Sequence, residues 1–146
     1  MITDRLPPFR FAVRTRVGFD ETDAQGIVYY GRYMPYFDRA RVEYLRHLDL
    51  LGREPHDPEL VMRAQHVEYH APARFDDELE VFVRVVRIGR TSIDWAFEAH
   101  NVAAGRRLAS ATQTMVQVDL GRRRPVPVVD EFRRAVTLFE SDVEAS

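Results

Sequence analysis

Residues 20–30, DETDAQGIVYY, hold three carboxylates (Asp20, Glu21 and Asp23) and Gly26 directly ahead of an apolar, aromatic run. The plain role of an aspartate in such a turn is to accept hydrogen bonds from nearby backbone N–H groups. A second role opens where the turn leads into a helix. The first N–H groups of a helix have no internal partner and carry partial positive charge, so they can hold a carbonyl oxygen as it becomes an oxyanion. A carboxylate beside them can attack that carbonyl or activate a water. Asp23 is the candidate, and Gly26 lets the backbone turn tightly and approach a substrate.

Other chemistries fit less well. The serines are Ser92, Ser110, Ser141 and Ser146, and none stands in a Gly-x-Ser-x-Gly elbow. There is no glycine-rich phosphate loop. The chain has no cysteine, which excludes disulfides, thiolate metal sites and a cysteine nucleophile. His66, Glu68 and His70 alternate and would share one face of a strand, as three zinc ligands do. No fourth ligand accompanies them, so a polar sheet face is expected and no metal. Thr22 and Ala24 stand where a calcium loop needs oxygen ligands.

The elements that must position Asp23 follow from periodicity. Phe9, Phe11, Val13, Thr15, Val17 and Phe19 share one parity against Arg10, Arg14 and Arg16, which predicts a strand over 9–19. Residues 31–48 change period: Tyr33, Tyr36, Phe37, Ala40, Tyr44, His47 and Leu48 form one helical stripe, with Pro35 in the first turn. Arg39 and Glu43 are spaced to pair across a turn. Gly52, Pro55 and Pro58 mark a loop. Residues 62–70 read as extended. Leu79, Val81, Val83 and Val85, then Ile93, Trp95, Phe97 and Ala99, alternate with polar residues. Residues 106–119 form one more long strand. Gly89-Arg90 and Ala104-Gly105 read as hairpin turns, so the sheet is antiparallel. Phe132, Ala135, Val136 and Phe139 predict a short helix over 130–139. The long aromatic helix is the one element large enough to cover the sheet.

Composition bounds the rest. With 146 residues, 45% hydrophobic and 30% charged, the chain fits one soluble domain spanning 1–146. A net charge of -2 argues against nucleic acid. No apolar run spans a bilayer, and the N-terminus lacks a secretory segment. A cytoplasmic location is expected.

At these residues the sequence resembles the hotdog-fold thioesterases of the 4-hydroxybenzoyl-CoA thioesterase-like acyl-CoA branch. The match runs from Phe19 through Asp23 and Gly26 to Tyr30, continues over Tyr33 and residues 37–43, and recurs at residues 67–77 and, more loosely, 89–92. The resemblance implies an α+β hotdog fold, with an antiparallel five-stranded sheet wrapped around one long central helix and a short C-terminal helix. It implies hydrolysis of an acyl-CoA thioester without a cofactor. Asp23 would be the catalytic carboxylate, as nucleophile or general base, and the backbone N–H near Tyr30 would polarise the thioester carbonyl. The Tyr30 phenol would shape the acyl pocket with Tyr29, Tyr33 and Phe37, and Gly26 and Val28 would line the substrate. Arg90, Thr91 and Ser92 resemble the segment near the CoA nucleotide, and Arg122, with Arg123 and Arg124, would serve similarly. Arg41 and Glu43 would brace the helix. The family pattern implies an edge-to-edge homodimer with each site at the subunit boundary, and a dimer of dimers, a homotetramer, in many members. Two rivals are a non-catalytic acyl-CoA-binding module and a hotdog dehydratase or hydratase using His66, His70 or His100.

Overall fold

The computed structural model describes residues 1–52, 59–140 and 144–145, so the expected loop prolines Pro55 and Pro58 lie outside the described residues. Strand β1 (Phe11–Arg16) leads through a 3-10 turn at Phe19–Glu21 and another at Tyr30–Arg32 into helix α1 (Tyr33–His47). Strands β2 (Glu59–Tyr69), β3 (Glu78–Ile88), β4 (Ser92–Asn101) and β5 (Arg106–Asp119) follow. The two-residue strand β6 (Arg124–Pro125), helix α2 (Asp130–Phe139) and the two-residue strand β7 (Glu144–Ala145) complete the order.

The sheet runs β1-β3-β4-β5-β2, and all four pairings along that path are antiparallel. To the five expected strands the structure adds β6, antiparallel to β5, and β7, parallel to β3. The register explains the inner face. Phe11, Val83, Phe97, Ala111 and Val67 stand in one row across all five strands. This is the hotdog arrangement: the sheet curls about α1, which buries Tyr33, Tyr36, Phe37, Ala40 and Tyr44 against it. Phe37 lies 5.0 Å from Phe97 and Tyr44 5.4 Å from Trp95, tilted and edge-on pairs that favour aromatic quadrupoles.

Helix α1 ends where Asp49 adopts φ 56 and Leu50 N–H donates to the Leu45 carbonyl at 2.8 Å, with Arg46 and His47 in its last turn opposing the dipole. His47 is exposed, although its ring stays 5.2 Å from Phe11. The expected Arg39–Glu43 pair does not form. Arg39 Nη1 instead donates to Thr15 Oγ1 at 2.9 Å, and Glu43 pairs with Arg46. Arg41 braces the helix as expected, donating to Gln113 Oε1 at 2.8 Å and Asp38 Oδ1 at 2.7 Å.

The first strand is shorter than its sequence alternation. Phe9 turns to the outer face, where it packs with Ala12 and Phe82. Phe19 is 77% exposed, stacked edge-on against Phe75 at 5.7 Å. Alternation continues through both residues, but β-pairing with β3 holds only over 11–16. No helix of the described residues is long and apolar enough to cross a membrane.

Candidate active site

Asp23 opens a tight turn. Its N–H donates to the Ile27 carbonyl at 2.9 Å, and the Gly26 N–H returns to the Asp23 carbonyl at 2.9 Å. Gly26 holds φ 77, a conformation that disfavours any side chain. The Gln25 N–H donates to Asp23 Oδ1 at 2.8 Å. The plain turn role is therefore filled, and it uses one oxygen. Oδ2 makes no hydrogen bond among the described residues. The side chain is half-buried.

The turn is tied to the sheet by a bridge from Ile27 to Arg74 and by the buried Val28, whose N–H donates to the Ala73 carbonyl at 2.8 Å. Tyr29 N–H donates to the Glu21 carbonyl at 3.0 Å, and Glu21 Oε1 in turn accepts the Gly18 N–H at 2.6 Å. The chain then enters the 3-10 turn at Tyr30–Arg32. Its internal bonds start with Arg32 N–H to the Tyr29 carbonyl, followed by Tyr33 N–H to the Tyr30 carbonyl. The N–H groups of Tyr30 and Gly31 precede the first of these and have no partner within the turn. The expected helix start is thus a 3-10 turn, three residues ahead of α1. A Cβ at Gly31 would lie 2.8 Å from the Tyr29 ring, so any side chain there displaces that ring.

An aromatic wall stands beside these amides. Tyr29 and Tyr30 rings lie 4.4 Å apart, and Tyr69 is edge-on to Tyr30 at 6.3 Å and to Tyr33 at 5.6 Å. The Tyr69 hydroxyl donates to the Tyr30 carbonyl at 3.1 Å. Burial, with smaller contributions from Tyr69 and Asp77, pushes the Tyr33 phenol up to about 12. Tyr69 is also raised, by burial and then by Tyr30. Tyr29 is raised by its hydrogen bond and charge interaction with Tyr30, then by slight burial and by the Asp23 charge. These three phenols are neutral hydrogen-bonding groups around neutral pH. Tyr69 lies within the matched stretch 67–77, but no role in the site was expected of it from the sequence. It reaches the site from the end of β2, 39 residues away along the chain from Tyr30, and only the long-range pairing of the sheet brings it there.

Arg90, Thr91 and Ser92 form the β3–β4 hairpin, closed by Gly89 N–H to the Ser92 carbonyl at 2.7 Å. The Arg90 carbonyl accepts from Val128 N–H and from Arg133 Nη2, which hold this backbone against the start of α2. Arg122 lies in the turn between β5 and β6, exposed, with Nε 3.7 Å from Asp119 Oδ2. The structure gathers Arg90, Thr91, Ser92 and Arg122 at one end of the sheet and Asp23, Gly26, Val28, Tyr30 and Tyr33 at the other. The 11 residues of β3 separate them, roughly 35 Å of strand.

His66 Nε2 lies 3.6 Å from Glu68 Oε1, His70 Nε2 lies 2.9 Å from Ser110 Oγ, and His100 Nε2 lies 3.0 Å from Glu98 Oε1. Among the described residues no group of three His, Asp or Glu is arranged to hold a metal ion.

The family model of the thioesterase-like superfamily matches residues 17–136. The chain is 34% identical to the acyl-CoA thioesterase YbgC of Haemophilus influenzae over 128 residues, covering 86% of this chain and 93% of that relative. It is 35% identical to the acyl-CoA thioester hydrolase YbgC of Escherichia coli over 132 residues, covering 86% and 96%. Among solved structures, a Thermus thermophilus thioesterase complexed with coenzyme A and zinc is 28% identical with a TM-score of 0.80, covering 93% of this chain and 98% of that one. A thioesterase-superfamily protein from Jannaschia has the same fold, with a TM-score of 0.87, 22% identity and coverage of 97% and 89%. This chain belongs to the thioesterase-like superfamily of hotdog enzymes.

Proposed function

We propose that this thioesterase-family enzyme hydrolyses an acyl-CoA thioester at Asp23, in a site completed by a second copy of the chain. The thioester carbonyl oxygen lies against the Tyr30 and Gly31 N–H groups. Asp23 Oδ2 then attacks the carbonyl carbon to give a mixed anhydride, or takes a proton from water that does so. In either route the C–S bond breaks and the thiolate of coenzyme A leaves and takes up a proton; in the first a water then hydrolyses the anhydride, freeing the acid and restoring Asp23, and in the second the attacking water's oxygen leaves with the acyl group as free acid. The observation that carries this reading is the juxtaposition in one short loop of a carboxylate oxygen without a hydrogen bond and two amide donors ahead of the first internal bond of a turn. The names of the relatives support the substrate class.

The sheet edges support the second copy. The β1 edge is covered by the N-terminal segment: the Met1 ammonium donates to the Ala12 carbonyl at 3.0 Å, and Thr3 N–H to the Arg10 carbonyl at 2.9 Å. The β2 edge carries no such strap among the described residues and exposes Val61, Met62 and Tyr69. A strand edge whose N–H and C=O groups lack a neighbour is a template for strand pairing. A two-fold axis would set β2 antiparallel to its copy, with the Tyr69 end beside the partner's Glu59 end. Glu59 pairs with Val118 and Ser92 with Val116, so the partner's 89–92 hairpin would come to the Asp23 end. The nucleotide phosphates would then meet Arg90 and Arg122 of the partner subunit. Pairing of such dimers into a tetramer and a cytoplasmic location complete the proposal, the latter in keeping with the cysteine-free sequence.

Free-thiol release measured on acetyl-, butyryl-, benzoyl-, octanoyl- and dodecanoyl-CoA tests the reading. Asp23→Asn keeps an oxygen to accept the Gln25 N–H, so it folds but loses at least about 10³-fold in kcat. A variant retaining most of its turnover, or a wild type that binds acyl-CoA and releases no thiol, rejects it.

A further inference from the structure

We propose that the cleft at the far end of α1 receives the acyl chain of a substrate whose thioester is held by the other subunit. The inference rests on the β2-paired dimer above and extends it to the choice of acyl group.

The cleft has a volume of about 390 Å³ and is walled by Leu45 of α1, Leu50 and Leu51 just beyond it, Leu60 of β2 and Phe132 of α2, with Gln117 of β5 beside them. That volume lies in the range of small-molecule sites, about 300–1,000 Å³. Its own chain's amide donors are far away. Leu45 follows Tyr33 by twelve residues, roughly 18 Å along the helix. The partner's donors are near. Leu60 stands one residue from the Glu59 end of β2, which the two-fold pairing sets beside Tyr69 of the partner subunit, about 4.8 Å across. In each chain Tyr69 holds the Tyr30 carbonyl. The cleft of one subunit is therefore continuous with the amide donors of the other.

The chemistry of the walls names the ligand. Four leucines and a phenylalanine offer aliphatic contact. The ionisable residues lining the cleft are Asp49 and Glu131, and no Arg, Lys or His joins them among the described residues. Apolar walls of this kind accept an uncharged chain more readily than a phosphate of coenzyme A, because burying a charge against them is costly. An uncharged alkyl chain of medium length fits, and each methylene seated in such a cleft raises kcat/KM about fourfold.

Two substitutions test this with opposite signs. Leu50→Trp fills the cleft, and the octanoyl-to-acetyl ratio of kcat/KM falls at least tenfold. Leu45→Ala enlarges it, and the dodecanoyl-to-octanoyl ratio rises. Heterodimers purified through two different tags test the trans arrangement. A dimer of one Asp23→Asn chain and one Leu50→Trp chain has one site with both lesions and one with neither. It hydrolyses octanoyl-CoA at about half the wild-type rate. If cleft and carboxylate act within one chain, both sites are defective and octanoyl-CoA activity is lost, which overturns the proposal. An active wild type whose chain-length ratios ignore both substitutions also overturns it, and leaves the hydrolase reading standing. A wild type inert on every acyl-CoA rejects the hydrolase reading itself, and the cleft assignment with it.

Discussion

The two ends of the sheet are built on different principles. At the Asp23 end the backbone does the work. Glu21, Asp23, Tyr29 and Val28 are fixed by main-chain hydrogen bonds to Ile27, Ala73 and one another, and Gly26 and Gly31 are present because a Cβ is strained at one and obstructed at the other. At the hairpin end the backbone of 89–92 is equally well tied, through Arg133 and Val128, but its candidate cations, Arg90 and Arg122, are long, exposed side chains. Rigid donors suit a developing oxyanion, which is stabilised only by groups already in place. Flexible cations suit phosphates, whose charge is the same in ground and transition states. The first end should therefore govern kcat and the second KM, and that split is the test of the comparison.

Asp23→Asn sits at the extreme, with its loss of about 10³-fold falling on kcat. Gly31→Ala comes next. The new Cβ would lie 2.8 Å from Tyr29 Cε2. Gly31 is not among the positive-φ residues, so the backbone tolerates alanine and the strain falls on the Tyr29 ring. That ring is 44% exposed and can swing out, which separates it from Tyr30 and loosens the amide pair. A fall of about tenfold in kcat is expected, with KM for acyl-CoA within about twofold. Steady-state kinetics decide: a rise confined to KM would place the substrate's binding contacts, rather than the oxyanion donors, at this turn.

Arg90→Ala and Arg122→Ala sharpen the other side. Each removes one exposed cation from the proposed phosphate site, so KM for acyl-CoA rises about three- to tenfold with kcat nearly constant, and the difference shrinks at high salt. With an acyl-pantetheine substrate, which lacks the nucleotide, the variants match the wild type. Equal effects on both substrates would remove these arginines from nucleotide binding.

The same contrast explains what the sequence could reveal. Strand β4 reads directly as alternation, with Ile93, Trp95, Phe97 and Ala99 buried and the residues between them half-buried, and α2 begins and ends where its stripe predicts. Periodicity records burial, and these elements are set by one buried face. Phe9 and Phe19 follow the same alternation and leave the inner face, because pairing with β3 stops at Phe11 and Arg16. The Asp23 turn was visible because its chemistry is local: Asp, Gly and helix start lie within a dozen residues. The separation of Arg90 from Asp23 was not visible, since spacing along the chain says nothing of opposite ends of an 11-residue strand. Nor was Arg39's partner, because Thr15 competes with Glu43 across the fold rather than along the helix.

Tyr69 joins the open edge to the rigid end, and removing its hydroxyl is the mildest test. Tyr69→Phe keeps the ring that packs edge-on to Tyr33 and Tyr30 and deletes one hydrogen bond to the Tyr30 carbonyl. That bond is partly exposed, since Tyr69 retains 48% of its surface, so its loss costs on the order of 0.5–1 kcal/mol. The Tyr33 N–H still bonds the same carbonyl from within the turn, and the 3-10 geometry persists. What changes is the freedom of the Tyr30–Gly31 peptide to rotate. A two- to fivefold fall in kcat is expected, with unchanged KM and a melting temperature within about 2 °C of the wild type. If kcat holds while the proposed dimer dissociates more readily in sedimentation, Tyr69 serves the proposed subunit boundary alone. The amide pair then owes its placement entirely to Glu21, Val28 and the turn that Gly31 allows.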